Sequence, residues 1–248
     1  MKPILFLILV VSINSFGSSL GFDQCKWLFP NNKVPSSVEN SETRELCFTT
    51  FAVLYSVKTK TPVYAVEKIN QSQAKFKEKR STKFHEEPLL KTWERSTLED
   101  YARSGYDRGH NYCAEDVNVS YNRTPQNSKM AMYETFSLAN MMPQTKRNNE
   151  IIWAKNVEGA TRKYLKRLCS FGQCSDLYVF TGPYFSQDHK TIGKNKIWVP
   201  DYIWKLVYDP SKNRSWVFWI ENTETCSMHP PISYDEFVKR TGFNLLNK

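Results

Sequence analysis

The sequence predicts an α+β fold, a single domain with a central antiparallel sheet and helices packed on it. Three observations carry this. Short β-branched and aromatic runs at 48–55, 63–66, 176–182, 202–208 and 215–220 are set apart by turn residues. One long amphipathic helix is legible, from about Asn148 to Arg167, with Ile152, Val157, Tyr164, Leu165 and Leu168 as its apolar face. Strands and helices also fail to alternate in the way a parallel sheet requires.

Composition narrows the function less than the fold. Of 248 residues, 40% are hydrophobic and 14% aromatic, which is enough to bury a sizeable core. A formal net charge of +9 suits a polyanionic partner, nucleic acid or anionic lipid alike. The chain has no internal repeat, no glycine-rich nucleotide loop and no G-x-S-x-G elbow.

In chain order, residues 1–21 read as a signal peptide: Lys2, an apolar run Ile4–Ile13 too short to span a bilayer comfortably, and a small-x-small site at Ser19-Leu20-Gly21. A signal anchor is the alternative. Cleavage places the mature terminus near Phe22, in a protein secreted or periplasmic and not inserted in a membrane. Residues 22–45, with Pro30, Asn31, Asn32 and Pro35, read as an irregular N-terminal arm, and 46–248 as the functional domain. The runs 48–55 and 63–66 form a hairpin across Thr59–Pro62. Ser96-Thr97-Leu98-Glu99 reads as a capping box for a short helix. Asp209-Pro210 turns the last strand pair, Ser233 and Glu236 cap a final helix, and Gly242 stops it. His85 and His189 read as incidental surface residues.

Six cysteines in an oxidising compartment allow three disulfides, and no pairing is fixed by the sequence. Cys25–Cys47 and Cys169–Cys174 are favoured because each is local, which leaves Cys113 for Cys226. A zinc site is weak, since no C-x-x-C pair is present.

The chemistry gathers in two segments. The first is Asp107-Arg108-Gly109-His110. The second is Asn140-Met141-Met142-Pro143-Gln144 with the helix that carries Asn149, Trp153 and Glu158. A histidine can take a proton from water near neutral pH, and an arginine can neutralise an attacked phosphate. Amide and carboxylate oxygens suit Mg²⁺, which keeps most of its waters. A lone histidine is more often structural; its setting here favours catalysis. The D-R-G-H motif, the N-x-x-P-Q motif and the Asn149…Trp153…Glu158 run together resemble the DNA/RNA non-specific endonucleases, over roughly Leu46 to Phe243.

That resemblance implies a ββα-metal element beside the sheet. It implies His110 as general base, Arg108 and Arg80 as phosphate clamps, and Asn149 as ligand of Mg²⁺, or Mn²⁺ in its place. Asp107, Asn140 and Gln144 become substrate-side residues, and Glu158 a catalytic partner. The implied reaction is hydrolysis of DNA and RNA with little sequence preference, leaving 5′-phosphate ends. Two departures stand against it. Asn111-Tyr112-Cys113-Ala114 replaces the Ala-Pro that often follows the histidine. Glu158 also follows Asn149 by nine residues, where relatives have eight, and residue 157 is Val. Nine residues are roughly two and a half turns at about 3.6 residues per turn, nearly opposite faces of an α-helix. Either a bulge re-aims Glu158 or its role falls to a neighbour, with Asn148 a second candidate ligand and Glu150 a weaker one. The rival reading is a basic nucleic-acid-binding protein with a decayed site.

Overall fold

The structure is a computed structural model and describes residues 18–35, 42–170 and 173–247. Most of the signal-peptide segment lies outside the described residues. Among the described residues thirteen strands follow in chain order: β1 (Ser19–Leu20), β2 (Thr43–Cys47), β3 (Phe51–Ser56), β4 (Thr61–Ile69), β5 (Asp107–His110), β6 (Met141–Gln144), β7 (Cys169–Ser170), β8 (Gln173–Cys174), β9 (Leu177–Tyr184), β10 (Thr191–Ile192), β11 (Ile197–Trp198), β12 (Tyr202–Asp209) and β13 (Arg214–Glu221). The α-helices are α1 (Leu98–Tyr101), α2 (Ser128–Glu134), α3 (Gly159–Arg167) and α4 (Tyr234–Thr241), and a π-helix over Arg147–Glu158 runs directly into α3.

Seven strands make one sheet in the order β1-β2-β3-β4-β9-β12-β13, with every pairing antiparallel. Both faces are covered, so β3 is buried at every position and reads as a continuous apolar run rather than an alternation. In β12 the period of two sorts the side chains. Trp204 and Leu206 join the core under the N-terminal segment and α4, while Ile203 and Val207 join Trp153, Val157 and Leu165 of the long helix. Lys205 faces the same side as Ile203. It is wholly buried, donates to Thr181 Oγ1 at 2.8 Å, sits 3.8 Å from Glu67 and lies 5.9 Å from the Trp153 ring centre. A charged pair this deep needs its partners in place.

The arm belongs to this body. Phe22, Leu28 and Phe29 are buried in the core, Cys25 is bridged to Cys47, and β1 and β2 extend the sheet. Cys169–Cys174 closes the β7–β8 hairpin. The Cys113–Cys226 pairing is not formed: both thiols are free and buried, Cys226 in the core under the long helix and Cys113 against Glu158. The capping box falls one residue later than expected, between Thr97 and Asp100. The last cap is as read: Ser233 Oγ accepts from Glu236 N, and Gly242 ends α4 at φ 75°. At the far edge of the sheet Val217 exchanges two backbone hydrogen bonds with Ile232, closing off the middle of β13. No helix among the described residues is long and apolar enough to cross a membrane.

Candidate active site

Two short strands and a helix build the site. β5 pairs antiparallel with β6, Asp107 opposite Gln144 and His110 opposite Met141. Gly109 is required here, since a Cβ on it would collide with the Gln144 side chain. The chain then enters the π-helix, which packs on the sheet through Ile152, Trp153 and Val157. Its i→i+5 bonding puts more than four residues in each turn. Nine residues therefore close about two whole turns, and Asn149 and Glu158 face one cleft. That cleft, of about 390 Å³, is lined by His110, Arg80, Asn149, Glu158, Cys113 and Arg162, with Glu150 at its rim. The one-residue excess in the sequence is absorbed by the wider helix.

His110 lies on a bed of aromatic rings. Phe136 meets it edge-on at 4.9 Å between centroids, and Phe84 lies at 5.8 Å. The same rings hold the arginines, Arg108 at 4.2 Å from the Phe84 ring centre and Arg80 at 5.3 Å from that of Phe136. Nε2 of His110 is buried and has no hydrogen-bond partner among the described residues. Burial of the ring, and then the charge of Arg80, push its pKa down to about 3. The imidazole is therefore neutral at neutral pH. Arg108 faces an adjoining recess with Tyr106 and Asp107 rather than the cleft that holds Glu158.

Asn149 is oriented by Asp107, whose Oδ2 accepts its Nδ2–H at 2.9 Å. A carboxylate can only accept here, so the amide must present its nitrogen to Asp107 and leave Oδ1 for a ligand. Glu158 Oε2 sits 3.1 Å from Cys113 Sγ and 3.7 Å from Arg162 Nη1. Arg162 is gripped by Asp116 and Glu115, each at 3.2 Å. Burial pushes the Glu158 pKa up, opposed by the charges of Lys205 and Arg162.

Three expected roles are not matched by position. Asn140 is wholly buried: its Nδ2 donates to the carbonyls of Tyr112 and Thr135, and its Oδ1 accepts from Tyr112 N. It ties the residues after β5 to the approach to β6 and does not face substrate. Gln144 is equally buried and donates to Asn148 Oδ1 at 2.7 Å. Asn148, the second candidate ligand, uses its other amide atom on Glu221 O at 2.6 Å. His85 is half-buried rather than a surface residue. Its backbone bonds to Phe136 and Leu138, and its ring lies 3.9 Å from that of Tyr133. The aromatic bed was not legible as such, although Phe84 stands four residues after Arg80.

Residues 30–248 match the family model described as DNA/RNA non-specific endonuclease. The chain belongs to that family. Its relatives include Nuclease C1 of Cunninghamella echinulata var. echinulata, 33% identical over 55% of this chain and 52% of the relative. Others are the mitochondrial Endonuclease G of Bos taurus, 30% identical over 63% and 51%, and a nuclease of Nostoc sp., 29% identical over 79% and 71%. The chain thus spans about half the length of the first two. A solved EndoG/EndoGI complex contains a chain alike in fold, with TM-score 0.68 at 20% identity over 84% of this chain and 87% of that one. This is the ββα-metal architecture, which implies a divalent cation. The donor set fits one. Among the described residues no three His, Cys, Asp or Glu side chains cluster as a closed metal cage would need. An amide oxygen held ready at Asn149, with Glu158 across the same cleft, suits a hard cation that retains its waters.

Proposed function

We propose that this protein is a secreted, Mg²⁺-dependent nuclease that hydrolyses phosphodiester bonds of DNA and RNA with little sequence preference. One observation carries the reading: a single cleft gathers a neutral histidine, an arginine, and an asparagine whose amide oxygen is held ready by Asp107. The His110 imidazole takes a proton from water as that water attacks phosphorus, and the P–O3′ bond breaks to leave a 5′-phosphate. Arg80, exposed at the mouth of the cleft, neutralises the attacked phosphate, with Arg108 acting from the adjoining recess. Asn149 would hold the cation directly and Glu158 through water; when bound, the cation supplies charge stabilisation for the leaving oxygen. Asn140, Gln144 and Asp107 act by positioning. Contacts to backbone phosphate rather than base edges account for tolerance of sequence and sugar.

The rival reading of a decayed binding protein rested on the spacing of Glu158 and on the residues that replace Ala-Pro after His110, and the π-helix answers the first of these. Plasmid and RNA degradation by the purified protein, with and without EDTA, tests the proposal. Cleavage abolished by EDTA and restored by Mg²⁺ is expected; binding without cleavage under every cation condition would favour the rival. Intact mass of the exported protein should begin near Phe22, and a retained Met1 would refute secretion by cleavage.

A further inference from the structure

The cleft at His110 does not end at the reacting groups. On its Arg162 side it opens into a larger groove of about 860 Å³, and Arg80, Ala114, Glu115 and Arg162 line both. On the other side a recess of about 460 Å³ shares Arg80, His110, Asn149 and Glu150 with it. The reacting groups therefore lie between two further concavities that share their walls. A substrate with chain on both sides of the cleaved bond fits that shape.

The large groove is charged. Lys77, Lys79, Arg80, Arg162 and Lys166 face it against Glu78 and Glu115, five cations to two anions and hence a net +3. Arg162 is paired with Asp116 and Glu115, but among the described residues Lys77, Lys79 and Lys166 form no ion pair. Uncompensated cations gathered along a concave wall concentrate a polyanion there. The groove also has an aromatic wall. The Arg123 guanidinium lies 3.8 Å from the Phe76 ring centre and donates to the Phe76 carbonyl at 2.8 Å, which fixes the ring where it lines the groove. Cations beside a fixed ring are what an unstacked single strand requires, whereas a paired base is already stacked within its duplex.

We propose that this groove is a flanking-strand subsite that takes unpaired nucleotides next to the cleaved phosphodiester. Lys77, Lys79 and Lys166 neutralise their phosphates, and Phe76 stacks one base. This deepens the nuclease reading and rests on it. Because the contacts are to phosphates and to a π-face, the subsite adds affinity without adding sequence preference.

The test uses a ladder of single-stranded thymidine oligomers from the dinucleotide upward, with kcat/KM measured for the full chain in Mg²⁺ and Kd measured by fluorescence anisotropy in EDTA. In the unaltered protein kcat/KM should climb with length and then level off. Combined Lys77→Ala, Lys79→Ala and Lys166→Ala should leave dinucleotide cleavage unchanged and abolish the climb. For the longest oligomer the salt slope of log affinity should shrink by about 2, from three phosphate contacts at about 0.7 each. Phe76→Ala should weaken long-oligomer binding by roughly fivefold or more, and the three Lys→Arg replacements should keep the climb. The proposal is overturned if the unaltered protein shows no length dependence in either readout, if the triple Ala variant keeps the climb and the slope, or if it loses dinucleotide cleavage too. Should the unaltered protein cleave nothing, the nuclease reading fails, and the anisotropy ladder still decides the subsite.

Discussion

Removing the Asp107 carboxylate should disarm Asn149 without touching it. In the folded protein Asp107 Oδ2 accepts the Asn149 Nδ2–H at 2.9 Å, a hydrogen bond to a charged acceptor. Such bonds contribute about 1.5–3 kcal/mol. Asp107→Ala deletes that restraint, and the Asn149 amide can then turn either end toward the cleft. If the whole contribution bears on cation binding, affinity falls by about 10- to 150-fold at about 1.4 kcal/mol per factor of ten. That range overlaps the 10–100-fold usual for losing a group that orients a metal ligand. Asp107→Asn should be milder by about 1 kcal/mol, because its amide can turn its oxygen to Asn149 and keep a neutral hydrogen bond. The assay is calorimetric titration with Mn²⁺ alongside nuclease activity against Mg²⁺ concentration. Weaker binding with a rate that recovers at high Mg²⁺ is expected. Unchanged cation affinity in Asp107→Ala, with a rate that no Mg²⁺ concentration restores, would refute the argument.

His110→Ala should cut the rate by about 10²–10⁴, the range for losing a general base. A base must be neutral, and the His110 pKa lies near 3, so its contribution should persist as pH falls through 6.5 and disappear only on approach to 3; a pH–rate profile whose acid limb belongs to His110 and lies near 6.5 would contradict this. Glu158→Gln should lower cation affinity about 10- to 100-fold if the π-helix aims the carboxylate at bound water, and calorimetry showing wild-type affinity would make Glu158 a bystander. Thiol counting should find two free cysteines on unfolding without reductant, Cys113 and Cys226, and none reactive in the native protein; peptide mapping that finds them joined would refute it. Breaking Cys25–Cys47 by Cys47→Ser should cost about 2–4 kcal/mol in denaturant unfolding.

What could be read from the sequence was whatever has a local cause. The hairpins and the last helix with its Ser233 and Gly242 ends follow from neighbouring residues, and the two disulfides are the pairings that lie closest along the chain. The β5–β6 motif was legible because its residues and their order resemble those of a known family. What stayed hidden depends on the third dimension. Asn140 and Gln144 are polar residues in a motif, which looks the same whether they meet substrate or satisfy buried backbone and a neighbouring amide. A π-helix uses the same residues as an α-helix, and only the face on which Asn149 and Glu158 fall distinguishes them. Cys113 looked like a disulfide partner because cysteines were counted, whereas its place against Glu158 is set by packing across forty-five residues of chain.

The borders of the large sheet bear on how this protein behaves in a crowd. An open strand edge is a template on which another chain's backbone can add, the first step toward fibrils and precipitates. Here the proposed cleavage near Phe22 removes β1 and leaves β2 as one border, a five-residue strand that carries Arg44 and Glu45, with Phe22 N bonded to Glu45 Oε2 beside it. The other is stoppered midway by Ile232 and flanked by Arg214 and Glu221, both exposed. Neither offers a long, flat, apolar row to a stranger. Concentrated stocks should therefore resist sheet-to-sheet accretion for as long as residues 230–232 hold their post, and trimming that segment is where colloidal trouble would begin.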